Sequence, residues 1–185
     1  ASAEERAAEP RAGSGAAVGN QSTPGEQVQG AEATVSFEGE NVVKERLPRS
    51  YRHPTLDSQL RSQRTREEAR LTSEARRAGV PTPVICDIDT QKTTIVFQYV
   101  GDCDLRDALT ETNVRAVAES LAAIHEAGFV HGDPTTRNVR VKRGDSGDGP
   151  RVFLIDFGLG YYTKHPEDHA MDLHVFAQSL AGTAD

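Results

Sequence analysis

The sequence predicts an α+β chain built as two unequal halves, and three observations carry that expectation. Apolar and polar residues alternate with period two at Ala33, Val35 and Phe37, as in a half-buried strand. A stretch with neither Gly nor Pro, Leu56 to Ala78, separates this region from two further strand-like runs. Beyond about residue 101 helical composition dominates, broken by two short apolar segments.

Residues 1–27 are mostly Ala, Gly, Ser, Glu and Pro, with Val18 their one aliphatic β-branched residue. Such a composition buries too little apolar area to offset ordering entropy, so a flexible linker or tail is expected. The chain opens on Ala rather than Met, and a linker at this place is expected to join an upstream domain. From Ala33 a β-hairpin is expected: Glu38-Gly39-Glu40-Asn41 supplies the turn and Val42-Val43-Lys44 the return strand. Strong helix formers then run from Leu56 until Gly79 and Pro81 stop them, giving a long basic helix. Val84 to Ile88 and Thr93 to Val100 read as strands around the polar turn Asp89-Thr90-Gln91-Lys92. Ala108 to Ala127 reads as a helix closed by Gly128. Val139-Arg140-Val141 and Val152 to Ile155 are short strands flanking the turn-rich Gly144 to Pro150, with Phe153, Leu154 and Ile155 expected in the core. A last helix follows Pro166 and reaches about Leu180. The expected lobes are 28–100 and 101–185, meeting near Tyr99 to Asp104.

At 185 residues the chain has room for one domain with a real core. No run approaches the ~18 apolar residues of a membrane span, and the start lacks a charged-then-apolar signal, so a soluble, cytoplasmic protein is expected. Cys86 and Cys103 have no CxxC spacing, which suggests neither a zinc site nor a disulfide framework. The formal charge of −7 is uneven: Lys44 to Arg77 carries a net +5 and the remainder −12. That balance argues against general nucleic-acid coating and permits a local phosphate or RNA contact, or equally a solvated helix face.

Two motifs carry the chemistry. His131-Gly132-Asp133-Pro134-Thr135-Thr136-Arg137-Asn138 lies between a helix and a short strand, with Asn five positions after Asp. Ile155-Asp156-Phe157-Gly158 follows the next strand. In phosphoryl transfer Asp133 would orient or deprotonate the attacking hydroxyl, while Asn138 and Asp156 would hold Mg²⁺ on the phosphates of ATP. Either motif alone is a weak hit; both in this order, separated by a hairpin, are specific. Such a site needs a strand lysine for the phosphates and a helix glutamate to hold it. Lys44 stands where the lysine belongs, and Glu68 is the preferred partner, with Glu67 and Glu74 open because sequence does not fix the helix rotation. No GxGxxG occurs, so Gly30-Ala31-Glu32-Ala33 is the only candidate for a short nucleotide cover, and Tyr99 is an expected nucleotide contact. His165, His169 and His174 lack the companions of a tetrahedral metal site, and His131 and Asp172 are expected to brace the Asp133 loop.

At these residues the sequence resembles the atypical small kinase of the KEOPS complex, a relative of the RIO kinases. The similar parts are Gly30 to Ala33, Lys44-Glu45-Arg46, Tyr51-Arg52-His53-Pro54, Arg64-Thr65 with Glu68-Ala69-Arg70, and Gly79 to Pro83. The His131 to Asn138 loop, Asp156 to Leu159 and Asp172-Leu173-His174 complete the set. The Tyr-Arg-His-Pro and Thr-x-x-Glu-Ala-Arg elements discriminate most, since most kinases have neither. The resemblance implies a minimal two-lobed, protein-kinase-like fold with a small β-rich first lobe and a reduced, mainly helical second lobe. It also implies an ATP- and Mg²⁺-dependent serine/threonine kinase or ATPase supporting threonylcarbamoylation of tRNA. The implied partners are a threonylcarbamoyl transferase subunit or fused domain, the other KEOPS subunits, and tRNA, reached indirectly or through the basic 44–77 segment. No membrane partner is implied. The sequence departs from the family at Pro134, where Leu is common, and at Arg137, where Ser is common. Relatives also continue past the position of Asp185 into a basic tail.

About a dozen residues separate Gly158 from Asp172 and contain no APE triplet, so a peptide-docking segment has no room and water is the expected acceptor. Thr135 replaces the lysine usual two positions after the loop Asp, with Arg137 a substitute for it or a solvent-facing residue. Two other readings are an aminoglycoside-kinase-type small-molecule phosphotransferase and a non-catalytic kinase-fold scaffold.

Overall fold

The computed structural model describes residues 27–30, 32–144 and 149–184. The expected linker over 1–27 therefore lies outside the described residues except for Gln27, which opens a strand. Strands β1 (Gln27–Gln29), β2 (Ala33–Glu38), β3 (Asn41–Arg46), β4 (Ile85–Asp89) and β5 (Thr94–Gln98) form one antiparallel sheet in the order β1-β2-β3-β5-β4. The β2–β3 turn needs a left-handed residue, which Gly39 supplies with φ +62°. β1 was not expected: Gln-Val-Gln is polar and exposed, and it pairs with β2 only at the sheet edge.

Helix α1 (Pro54–Arg77) crosses between β3 and β4. Pro54 in its first turn loses no helical hydrogen bond there. Its buried stripe, Thr65, Glu68, Leu71, Thr72 and Ala75, follows spacings of three and four.

The second half holds β6 (Cys103–Asp104), a 3₁₀ turn at Leu105–Ala108, α2 (Glu111–Glu126), β7 (Phe129–Val130), β8 (Val139–Lys142), β9 (Arg151–Leu154), β10 (Tyr161–Tyr162) and α3 (Pro166–Ala184). β6, β8 and β9 make a three-stranded sheet and β10 pairs with β7. The helix expected from Ala108 starts later because Thr110 caps it, its side chain accepting from Asn113 N at 3.2 Å. Gly128, φ +90°, lies just beyond its end.

One core joins the halves: Leu71, Ala75 and Val80 cluster with Leu105, Leu121, Phe129, Leu154 and Phe157. Each Val, Leu or Phe among them contributes about 1.5–3 kcal/mol through burial, and the shared cluster packs α1 against the second half. Ile155 departs from expectation. It leaves β9 half-buried and lines a cavity while Leu154 and Phe153 fill the core. Among the described residues no helix is long and apolar enough to cross a membrane.

Candidate active site

A cavity of about 430 Å³ opens between the five-stranded sheet and the second half. Its sheet wall is apolar, with Val35, Val42 and Phe97, and its far end carries Lys44, Glu68, Asn138 and Asp156. Alternation along β3 puts Val42, Lys44 and Arg46 on one face. Lys44 Nζ donates to Glu68 Oε1 and to Asp156 Oδ1, each at 2.8 Å. Glu68, only 1 % exposed, also receives Arg46 Nη2 on its other oxygen. Burial disfavours the Lys44 ammonium, but the Glu68 and Asp156 carboxylates outweigh it and raise the lysine above its ordinary range. Burial likewise opposes ionisation of Asp156, and Lys44 overcomes it, holding the carboxyl low.

The helix rotation that sequence left open is visible here. Glu68 faces Lys44, whereas Glu67 accepts from Gln63 and Glu74 pairs with Arg70. Asp156 has φ +62°, a strained conformation for a non-glycine residue, and accepts from Gly158 N at 3.2 Å. Both its contacts fall on Oδ1, so Oδ2 is the oxygen that remains for a cation.

The neighbouring loop is held differently. Asn138 Nδ2 donates to the carbonyl and to Oδ2 of Asp133, both at 2.9 Å, which turns the amide oxygen away from Asp133. Asp172 of α3 accepts from His131 N at 2.8 Å and Gly132 N at 2.9 Å, and its Oδ2 lies 2.9 Å from His125 Nε2. Burial raises the Asp172 carboxyl, yet these bonds hold it below its ordinary range. His131 is fully buried, with Nε2 on Ile155 O at 2.9 Å and Nδ1 accepting from Asp133 N at 3.3 Å. That pattern assigns the neutral Nε2–H tautomer, and burial lowers the imidazole's pKa. Gly132 has φ +87°, and any Cβ there would collide with the Leu159 carbonyl.

Of the expected nucleotide contacts, Lys44, Tyr99, Asn138 and Asp156 line the cavity, and Asp133 is joined to it through Asn138. Gly30 and Glu32 lie in the β1–β2 turn and are not among the lining residues; Glu32 pairs with Arg64 at 3.1 Å. Ala31 lies outside the described residues. Sequence reasoning missed Arg46 and Arg140, both buried cations. The 44–77 segment is no uniform positive face: Arg46, Arg61, Arg64 and Arg70 all pair with carboxylates.

The model of the lipopolysaccharide kinase (Kdo/WaaP) family matches residues 42–179. A Haloarcula marismortui protein named as a probable bifunctional tRNA threonylcarbamoyladenosine biosynthesis protein is 68 % identical over 161 residues, 87 % of this chain and 29 % of its own length. A Methanosarcina acetivorans protein of the same name is 42 % identical over 166 residues, 86 % and 29 % of the two chains. This chain thus spans under a third of the length of the curated relatives it matches, and their names agree with the resemblance read from the motifs. Among solved structures, the Rio2 kinase from Chaetomium thermophilum superposes with a TM-score of 0.67 at 16 % identity, over 81 % of this chain and 54 % of that one. The bifunctional kinase-methyltransferase WbdD gives 0.58 at 23 %, over 80 % and 34 %. The fold is that of these kinases: α+β, with a five-stranded sheet, two smaller ones and, among the described residues, three α-helices.

Proposed function

The chain belongs to the lipopolysaccharide kinase (Kdo/WaaP) family, and from that premise we propose that it binds ATP with Mg²⁺ and transfers or hydrolyses the terminal phosphoryl group. The observation that carries this reading is Lys44, bridged to Glu68 and Asp156 at the charged end of a cavity whose other wall is apolar. A cavity of about 430 Å³ suits a nucleotide-sized ligand. The donor set fits the metal too: Asp156 Oδ2 and the Asn138 amide oxygen are hard oxygen ligands of the kind Mg²⁺ takes. When bound, Mg²⁺ would neutralise phosphate charge there.

Each residue then has a task. Lys44 binds phosphate oxygens and Glu68 holds Lys44 in place, backed by Arg46. Asp133, fixed by Asn138, orients the attacking hydroxyl or water and accepts its proton. Tyr99 contacts the nucleotide, and a cover over it by Gly30 and Glu32 would need the β1–β2 turn to move toward the cavity, which neither residue lines. The lobes divide at 28–100 and 101–185. Water is the acceptor in the main reaction, with serine or threonine autophosphorylation a side activity.

The relatives' names support a role in threonylcarbamoyladenosine synthesis on tRNA. The partners are a threonylcarbamoyl transferase, fused or separate, the other subunits of that machinery, and tRNA, with the whole in the cytoplasm. A second reading comes from the family's description: a sugar hydroxyl as acceptor. The test is Mg-ATP hydrolysis by the chain with and without the transferase and tRNA, beside a screen of small alcohols and amino sugars. Hydrolysis stimulated by both partners supports the first reading, saturable turnover on a sugar supports the second, and absence of both sinks the proposal.

A further inference from the structure

Arg140 is a buried charge in a place where sequence suggests an apolar strand residue. It lies on β8 between Val139 and Val141, is 7 % exposed, and lines the cavity near Val100 and Tyr99. Four hydrogen bonds pin its guanidinium to the segment joining the halves. Nη1 donates to Asp104 Oδ1 at 2.6 Å and Nη2 to the Tyr99 hydroxyl at 2.9 Å. Nε donates to Val100 O at 3.3 Å and Nη2 also to Gly101 O at 3.5 Å. Gly101 makes room for this: a Cβ there would stand 2.8 Å from that of Arg140, at φ +72°.

Four of its five N–H groups are committed to this segment and its Cζ lies over the Tyr99 ring, 5.5 Å from the centroid, so the guanidinium offers a ligand one π face and a single Nη1 N–H. The charge is already balanced by Asp104, so Arg140 is not built to capture another phosphate; Lys44 lies at the phosphate end. Tyr99 already makes a cation–π contact with this guanidinium, and the face turned from Tyr99 suits a second planar aromatic ring, a desolvated cation–π contact being a strong one.

We propose that Arg140 is a base-binding residue of the cavity, a fixed cationic platform on which a purine ring stacks, opposite the apolar wall of the five-stranded sheet. The proposal rests on the nucleotide reading above and adds to it the base-recognising group and a purine preference. A purine overlaps the guanidinium plane more fully than a pyrimidine, so the wild-type chain is expected to bind Mg-ATP several-fold more tightly than Mg-CTP. Replacing Arg140→Leu is expected to weaken Mg-ATP binding about tenfold while leaving Mg-tripolyphosphate, which has no base, unchanged. Arg140→Lys keeps the charge without the plane and is expected to bind ATP as poorly as the leucine variant. Calorimetric titration of the whole chain reads all four, and the wild-type ATP/CTP comparison stands even where a variant fails to fold. Equal affinity for ATP and CTP, or an Arg140→Leu variant that binds ATP normally or loses tripolyphosphate in parallel, overturns the platform alone. A wild-type chain that binds none of the three ligands overturns the nucleotide reading and the platform with it.

Discussion

The loop from His131 to Asn138 and the Lys44 cluster stand side by side at one cavity, yet they are held by different physics. The loop is fixed by backbone N–H groups donating to one buried carboxylate, Asp172, and by a neutral, buried imidazole. The cluster is four mutually neutralising charges, Lys44, Arg46, Glu68 and Asp156, drawn from β3, α1 and the segment after β9. The loop therefore takes its shape when the core forms and asks nothing of a ligand. The cluster's outer pair is exchangeable, because Asp156 is 45 % exposed and solvent or a ligand can replace Lys44 there.

The largest effect should come from breaking the loop's anchor. Asp172→Ala strips the partner from two backbone N–H groups and from His125, and should lower stability by about 4 kcal/mol in urea denaturation. A loss below about 1 kcal/mol would mean the loop is held by something else. Arg46→Met sits on the inner side of the cluster, leaving buried Glu68 with Lys44 alone, and should cost about 3 kcal/mol. If it proves neutral, the inner and outer ion pairs are equally dispensable and the contrast within the cluster fails.

Acidification should reach the loop next. Burial lowers His131 below 6.5, so under that pH the unfolded chain takes up a proton the folded chain refuses. Its contribution is complete above pH 6.5 and is lost as pH falls toward the lower folded value. Denaturation curves at pH 7.5 and 5.5 should diverge more for the wild type than for His131→Asn; identical pH dependence would contradict a buried neutral imidazole. The smallest change in stability, within about 1 kcal/mol, is expected for Asp156→Ala, since its half-exposed carboxylate leaves Lys44 still paired with Glu68. A larger loss would show that the outer pair is structural.

Sequence reached these two regions unequally. The loop and the segment around Asp156 are contiguous motifs, and Gly39, Gly79 and Gly128 mark turns and a helix end that the structure places at positive φ. Glu68 could be preferred but not fixed until α1 packed its Thr65, Leu71 and Ala75 stripe inward. The burial of Arg46 and Arg140 left no local sign, because each is made tolerable inside the protein by a carboxylate distant in the chain: Glu68, 22 residues away, and Asp104, 36 residues away. Strands β1, β7 and β10 are two or three residues long, too short for any periodicity, and exist only through their partners. Helix α2 starts at Glu111 and not at Ala108 because Leu105 to Ala108, helix-forming in composition, closes as a separate 3₁₀ turn and Thr110 caps the helix proper.

The most direct test of the central claim, that these charges form a Mg-ATP site, is calorimetric titration of Mg-ATP into the wild type, Lys44→Met and Asp156→Ala, each checked to be folded at the titration temperature by a cooperative denaturation transition. Saturable binding by the wild type, weakened about tenfold or more in both variants, is the predicted result. Absence of binding by the wild type, or equal binding by all three chains, would contradict it.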